Sequence, residues 1–295
     1  MAIRAVGVMS PGDMGHAIGN VLRHGGLQVI TCLRGRSART AALAAEAGIA
    51  DVGSDEALVQ QADVVLSVLV PSEAPALAAR LAAAVRATGA HPLIADCNAI
   101  APQTVRQIAV PLSAAGARFV DAGIIGGPPR PGQAGPRIYA SGEYAPELAQ
   151  LTPYGLDVRV MGTEIGQASG LKMCYAALTK GLTALSTELL VAARALGLHG
   201  ALHAELQQSQ PQLLGAMERQ VPGMPPKAYR WVGEMEEIAA TFEAVGLTPK
   251  ILQGAAELYR FVGRTPLAEE TPENRRRGQS LQEVVDILAE SLPPT

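Results

Sequence analysis

The sequence predicts an α/β protein: a doubly wound parallel sheet, then one long helix, then an all-α C-terminal domain. Three observations predict it. Short β-rich runs alternate with Ala-rich helical stretches through the first half of the chain, the rhythm of βαβ units. Residues 165–197 carry apolar positions at helical spacing with no proline inside the run. Beyond them, helical patterns continue without convincing strands. The change of pattern sets a boundary between a domain of residues 1–162 and one of residues 163–295.

The elements follow in order. A strand at Val6–Met9 runs into a Pro-Gly turn and a helix whose apolar spacing begins at Met14. Further strands are expected at 28–33, 64–70, 93–96, 119–122 and 137–140, with helices around 38–47, 73–88 and 101–115. No internal repeat interrupts this order.

Composition removes several function classes. With 24 Lys and Arg against 27 Asp and Glu, the formal net charge of -3 offers no surplus to neutralise a nucleic-acid backbone. Aromatic residues make up only 3%, too few for base-stacking platforms. The three cysteines, Cys32, Cys97 and Cys174, lie far apart without a CxxC pair, which excludes a disulfide framework or zinc module as organising principle. His199 and His203 stand four apart, but Gly200 occupies the place where a helical zinc motif needs an acid, so no metal is expected. No uncharged apolar run reaches the length of about 20 residues that spans a bilayer, and a cytoplasmic protein is expected.

The turn after the first strand reads Ser10-Pro11-Gly12-Asp13-Met14-Gly15, a dinucleotide fingerprint with serine at the first glycine position. Gly12 would let the backbone approach a pyrophosphate at the helix N-terminus, and Gly15 would let the helix pack closely on its strand. Some 20 residues on, where a free ribose 2′-hydroxyl calls for an acid, the sequence reads Leu33-Arg34-Gly35-Arg36-Ser37. Guanidinium groups and a hydroxyl suit a 2′-phosphate, so Arg34, Arg36 and Ser37 predict NADP(H) over NAD(H).

Four segments occur in the order and spacing of the β-hydroxyacid dehydrogenases: Gly7–Gly15, Asp96–Pro102, Phe119–Gly127 and Gly166–Lys172. The chain resembles that superfamily, which includes 3-hydroxyisobutyrate and 6-phosphogluconate dehydrogenases and the related imine reductases. Arg230–Phe242 resembles a bacterial branch with its own C-terminal helical domain. The resemblance implies a Rossmann domain, an interdomain helix, a helical domain and a homodimer sharing its active-site cleft. It assigns cofactor contact to Ser10, Pro11, Gly12, Asp13 and Met14 and to the loop Leu69, Val70 and Pro71. Asn98 would meet both cofactor and substrate, while Ile125, Gly126 and Gly127 would line the substrate. The lysine of the fourth motif is Lys172, which the resemblance makes the catalytic acid/base.

Lys172 also stands out by itself, as one of four lysines and on an otherwise apolar helix where an ammonium needs a reason. Helical spacing puts Tyr175, Thr179 and Lys180 on its face. The departures from the family pattern are equally specific. Asn98-Ala99 replaces Ser-Thr, Ile125 replaces a serine, and Ala176 replaces the asparagine four residues after the lysine, which leaves Tyr175 and Thr179 as donors. Glu236-Glu237 replaces a Lys-Asp pair, and neighbouring Trp231 is the only tryptophan. A small 3-hydroxy acid held by its carboxylate fits such a site poorly; a bulkier, neutral or amine-bearing substrate near Trp231 and Glu236 fits better. An NADP(H)-dependent dehydrogenase or reductase acting on a carbonyl or alcohol carbon is therefore expected. The alternatives are an imine reductase with a substrate cation near Glu236, and a cofactor-binding protein without catalysis.

Overall fold

The computed structural model describes residues 3–130, 132–271 and 274–293. The chain divides into two compact units, residues 1–173 and 174–295.

The first unit runs β1 (Ala5–Met9), α1 (Asp13–His24), β2 (Gln28–Thr31), α2 (Ala38–Glu46), β3 (Ala50–Asp51), α3 (Asp55–Gln61), β4 (Val64–Ser67), α4 (Ala74–Thr88), β5 (Leu93–Asp96), α5 (Pro102–Ala114), β6 (Arg118–Ile125), β7 (Arg137–Ser141), α6 (Ala145–Leu148) and β8 (Asp157–Gly162). The strands form one sheet in the order β3-β2-β1-β4-β5-β6-β7-β8. Strand residues alternate between two cores. Val6, Val8, Val64 and Leu66 join Ile18 and Leu22 of α1 on one face, while Val65, Ile94 and Phe119 meet Leu58, Leu81 and Ile108 of α3, α4 and α5 on the other.

The doubly wound α/β architecture is the one the alternation predicts, with one correction. The first six strands in chain order are parallel, but β7 runs antiparallel to β6, and β8 is parallel to β7. The connection from β6 to β7 contains no helix. Without a crossover element the chain can only return beside the strand it has left. Serines start α2 and α3: Ser37 Oγ accepts from Thr40 N at 3.2 Å and Ser54 Oγ from Ala57 N at 3.1 Å.

Helix α7 (Gln167–Ala195) is one uninterrupted helix, as its apolar spacing predicts. The two units part inside it, eleven residues beyond the boundary expected from sequence. Its first turns belong to the first unit because Asp121 of β6 accepts from Gly166 N at 2.8 Å and Ser169 N at 3.1 Å.

The second unit continues α7 and adds α8 (His199–Ser209), α9 (Pro211–Gln220), α10 (Ala228–Glu243), α11 (Lys250–Val262) and α12 (Leu281–Glu290). Among its described residues there is no strand. Helices α10 and α11 pack against each other and bury Met235, Ile238, Leu252, Ala256 and Tyr259. Among the described residues no helix is long and apolar enough to cross a membrane, and no three His, Cys, Asp or Glu side chains gather as a metal site.

Candidate active site in the first unit

The loops after β1, β4, β5 and β6 leave adjacent parallel strands, so they open at the same carboxyl edge of the sheet. The direction in which successive strands are added to the sheet reverses at the β1–β4 junction, the place where open α/β sheets form their binding crevice. Sequence motifs spread over more than 100 residues therefore meet along one edge.

After β1, Ser10 adopts the left-handed conformation, with φ of 61°, the only non-glycine to do so among the described residues. This serine thus takes the backbone role of the fingerprint's first glycine at a cost in local strain. A Cβ on Gly15 would lie 2.8 Å from Ser10 O, so close packing of α1 on the turn requires glycine there. A Cβ on Gly12 would meet nothing nearer than Ser10 O at 4.0 Å, leaving the backbone open at the helix N-terminus. An open amide-bearing surface at a helix start is what a pyrophosphate needs, so this turn fits a dinucleotide. Pro11 is buried, Met14 packs against the core, and Asp13 pairs with Arg39 at 2.6 Å.

At the end of β2, Arg34 and Ser37 are exposed and Arg36 is half-buried. The carboxylate nearest this strand end in the chain's pairing, Asp51, is engaged by backbone donors, accepting from Leu33 N at 3.1 Å and Gly53 N at 3.0 Å. After β4, Leu69 and Val70 are half-buried and Pro71 is buried.

After β5, Asn98 is only 2% exposed and its amide is fully engaged. Its Nδ2 donates to Asp96 Oδ2 at 2.7 Å and Ser67 Oγ at 2.8 Å, and its Oδ1 accepts from Leu69 N at 2.7 Å. The residue expected to meet cofactor and substrate thus directs its amide to Asp96, Ser67 and the Leu69 backbone. Asp96 also accepts from Asn98 N at 3.0 Å. Burial pushes the Asp96 carboxyl up to about 7, against the lowering effect of the Asn98 hydrogen bonds and with the Asp121 charge adding to the rise. Burial likewise pushes the Cys97 thiol far up, so it is no nucleophile.

After β6, Ile125 is buried, and Gly126 and Gly127 are exposed. Gly126 has φ of 129°, with Pro136 Cα 3.0 Å from where a Cβ would stand, so this turn requires glycine.

Lys172 is held by this strand. Its Nζ donates to Ile124 O at 2.9 Å. Two features of β6 position it. Asp121, fully buried, gathers Ser141 Oγ, Ser169 Oγ and the backbone amides of Gly166 and Ser169, fixing the start of α7. Gly123 lets the helix lie directly on the strand, since a Cβ there would stand 2.7 Å from Ala168 O and 3.1 Å from Lys172 Cβ. Sequence reasoning missed Asp121, Ser169 and Ser141 as a group. The available signal was an Asp inside the apolar strand Arg118–Ile125, where an acid needs several donors to be buried.

The remaining candidates lie in the second unit. Tyr175 is exposed and Thr179 half-buried, with Thr179 Oγ1 donating back to Tyr175 O at 3.3 Å. Trp231 packs edge-on against Tyr259, ring centroids 5.3 Å apart, and Lys180 Nζ lies 5.4 Å from the Trp231 ring centre. Lys180 forms an ion pair with Glu234. Glu236, the carboxylate expected near a substrate cation, is exposed and paired with Arg260 of α11.

Known proteins share the fold that carries this site. Residues 5–153 match the NAD binding domain of 6-phosphogluconate dehydrogenase, and residues 193–262 match a domain of unknown function, DUF1932. A solved conserved protein of unknown function, reported as structurally similar to 3-hydroxyacid dehydrogenases, is 31% identical, with 88% of this chain and 99% of that one covered and a TM-score of 0.65. Mycobacterium tuberculosis 3-hydroxyisobutyrate dehydrogenase, solved with L-serine, shares the fold at 20% identity and a TM-score of 0.69, over 97% and 99% of the two chains. A Streptomyces aurantiacus imine reductase shares it at 17% and 0.56, over 97% and 99%. The chain belongs to the β-hydroxyacid dehydrogenase superfamily and carries its NAD(P)-binding domain. Its family is accordingly one of NAD(P)-binding oxidoreductases.

Proposed function

We propose that the protein is an NADP(H)-dependent oxidoreductase that interconverts a carbonyl and an alcohol carbon of a small organic substrate, with Lys172 as general acid/base. The observation that carries this reading is the Lys172 ammonium, fixed 2.9 Å from Ile124 O beside the carboxyl edge of the sheet. A bound nicotinamide supplies or accepts the hydride. Lys172 gives its proton to the carbonyl oxygen as negative charge grows there, and takes it back in the reverse direction. Ser10 to Met14 hold the pyrophosphate through the backbone, and the exposed Gly126 and Gly127 border the substrate.

Arg34 and Arg36 support NADP(H), because the strand end offers two guanidinium groups while Asp51 is occupied by backbone amides. A homodimer is supported by Leu178, Leu185, Leu196 and Leu198, all more than half exposed, and by α8, which buries none of its residues. Three free thiols suit the cytoplasm. An imine substrate draws no support from Glu236, whose charge Arg260 already meets.

The test combines NADPH binding by fluorescence with a screen of NADPH oxidation against ketones, aldehyde acids and cyclic imines. Turnover of a carbonyl substrate that Lys172→Met abolishes supports the reading. Binding without turnover leaves a cofactor-binding protein, and turnover confined to imines moves the enzyme to the other branch. Swapping Arg34 and Arg36 for Asp reduces the preference for NADPH over NADH by at least about tenfold, the order expected for a lost charge-assisted pair; an unchanged preference removes the 2′-phosphate assignment.

A further inference from the structure

A clip of three buried polar side chains joins the ends of β4 and β5. Ser67 closes β4, Asp96 closes β5, and Asn98 follows two residues later. All three are at most 4% exposed. A polar cluster so far from water survives only if its hydrogen bonds close on themselves, and here they do. The Asp96 carboxylate accepts from Asn98 N, Asn98 Nδ2 and Ser67 Oγ, and Ser67 Oγ accepts from Asn98 Nδ2. One bond leaves the cluster: Leu69 N donates to Asn98 Oδ1 at 2.7 Å. Val68 N, one residue earlier, is held by Met9 O at 3.3 Å, so the last hold on this segment before it turns at Pro71 is the asparagine.

The chemistry explains the choice of residue. The two jobs at this point are to donate to a carboxylate and to accept from a backbone amide at the same time. A carboxamide does both with opposite ends of one rigid plane, whereas a single hydroxyl group lacks the span. The amide is therefore spent on holding the loop rather than on a ligand.

We infer that Asn98 is a positioning residue for cofactor binding: through Leu69 N it fixes the segment Leu69–Val70–Pro71 at the carboxyl edge of β4, with Asp96 and Ser67 fixing the amide in turn. The inference rests on the reading of that segment as the cofactor-facing loop. Losing the clip loosens the segment, so the cofactor must order it on binding, which lowers affinity and leaves the reacting groups in place once the site is full.

Amide hydrogen exchange and kinetics test it together. In the wild type without cofactor, the Leu69 amide exchanges far more slowly than an unprotected amide; exchange at the unprotected rate overturns the clip without any variant. Asn98→Ala speeds Leu69 exchange at least about tenfold while Val68 stays protected. It raises the KM for NADPH about tenfold and leaves kcat at saturating NADPH within about twofold, the split that separates positioning from catalysis. Asn98→Asp, which keeps Oδ1 for Leu69 but loses the Nδ2 donor, restores part of the Leu69 protection. A general loss of protection across the sheet, or an equal fall in kcat, overturns the positioning role. If the wild type binds neither NADPH nor NADH, the functional reading fails and the cofactor role with it, while the Leu69 result still decides whether the clip exists.

Discussion

Lys172 and Lys180 stand two turns apart on one helix, and sequence periodicity treats them alike. Their partners do not. Lys180 meets a carboxylate, Glu234, and the face of Trp231, and the turn that carries it is fastened by Tyr259 OH donating to Lys180 O at 2.6 Å. Lys172 donates to a backbone carbonyl. A carboxylate adds charge attraction to the hydrogen bond, whereas a carbonyl chiefly orients the ammonium that donates to it. The same residue type on the same helix sits in one place against a carboxylate and an indole, and in the other against a strand carbonyl at the carboxyl edge of the sheet.

The comparison breaks if the two lysines respond alike to removal. Lys172→Met is expected to lower kcat by about 10²–10⁴-fold, the range of general acid/base catalysis, with little change in melting temperature. Lys180→Met is expected to do the reverse. Its ion pair is largely shielded, with side chains 16% and 13% exposed, so removing the ammonium takes a close cation from the Glu234 charge and costs about 3 kcal/mol. That corresponds to a fall of roughly 10 °C in a thermal melt. Replacing Lys180 and Glu234 together by Met should recover part of the loss, because the shielded carboxylate then goes with its cation. A double variant as unstable as the single one would show that the pair itself, not the charge left behind, holds the helices.

Gly123 sharpens the contrast from the side of Lys172. Gly123→Ala puts a methyl group 2.7 Å from Ala168 O, so the first turns of α7 must shift and carry Lys172 with them. A displacement of about 1 Å is enough to reduce turnover by up to about 10²-fold. Affinity for NADPH should stay within about twofold, since the fingerprint turn is untouched. Gly170→Ala, on the same helix, meets only Pro102 Cγ at 3.6 Å and should be neutral in both measurements.

Sequence made the scaffold legible wherever burial imposes a period. The strands around Val6, Val65 and Ile94 and the long helix α7 follow from their apolar spacing. The two-residue strand β3 is too short to show any period, and β8 is an edge strand carrying Asp157 and Arg159 on a mostly exposed face. Strand direction is not encoded in periodicity at all, and the reversal at β7 follows from a loop that holds no helix. At the candidate site, motif spacing pointed to the backbone turns and to Lys172. It said little of what the side chains of Asp96, Asn98 and Asp121 bond to, because apart from the local Asp96–Asn98 pair those partners lie 20 to 48 residues away, on or after neighbouring strands and at the start of α7. Asn98 shows the limit best: its identity suggested a ligand contact, and only the fold reveals that the amide is already spent.

The smallest effect is expected at Glu236, on the same helix α10 as Glu234. Both glutamates pair with a cation, but Glu236 and its partner Arg260 are 53% and 40% exposed. Water screens such a pair, and fixing two long side chains costs what little attraction remains. Glu236→Gln is therefore expected to move the melting temperature by no more than about 2 °C, against roughly 10 °C for Lys180→Met. It should also leave the KM for a neutral carbonyl substrate unchanged, since the carboxylate already answers Arg260. A rise in KM confined to cationic substrates would mean that the glutamate leaves Arg260 to meet them, and would return the imine reading to the front.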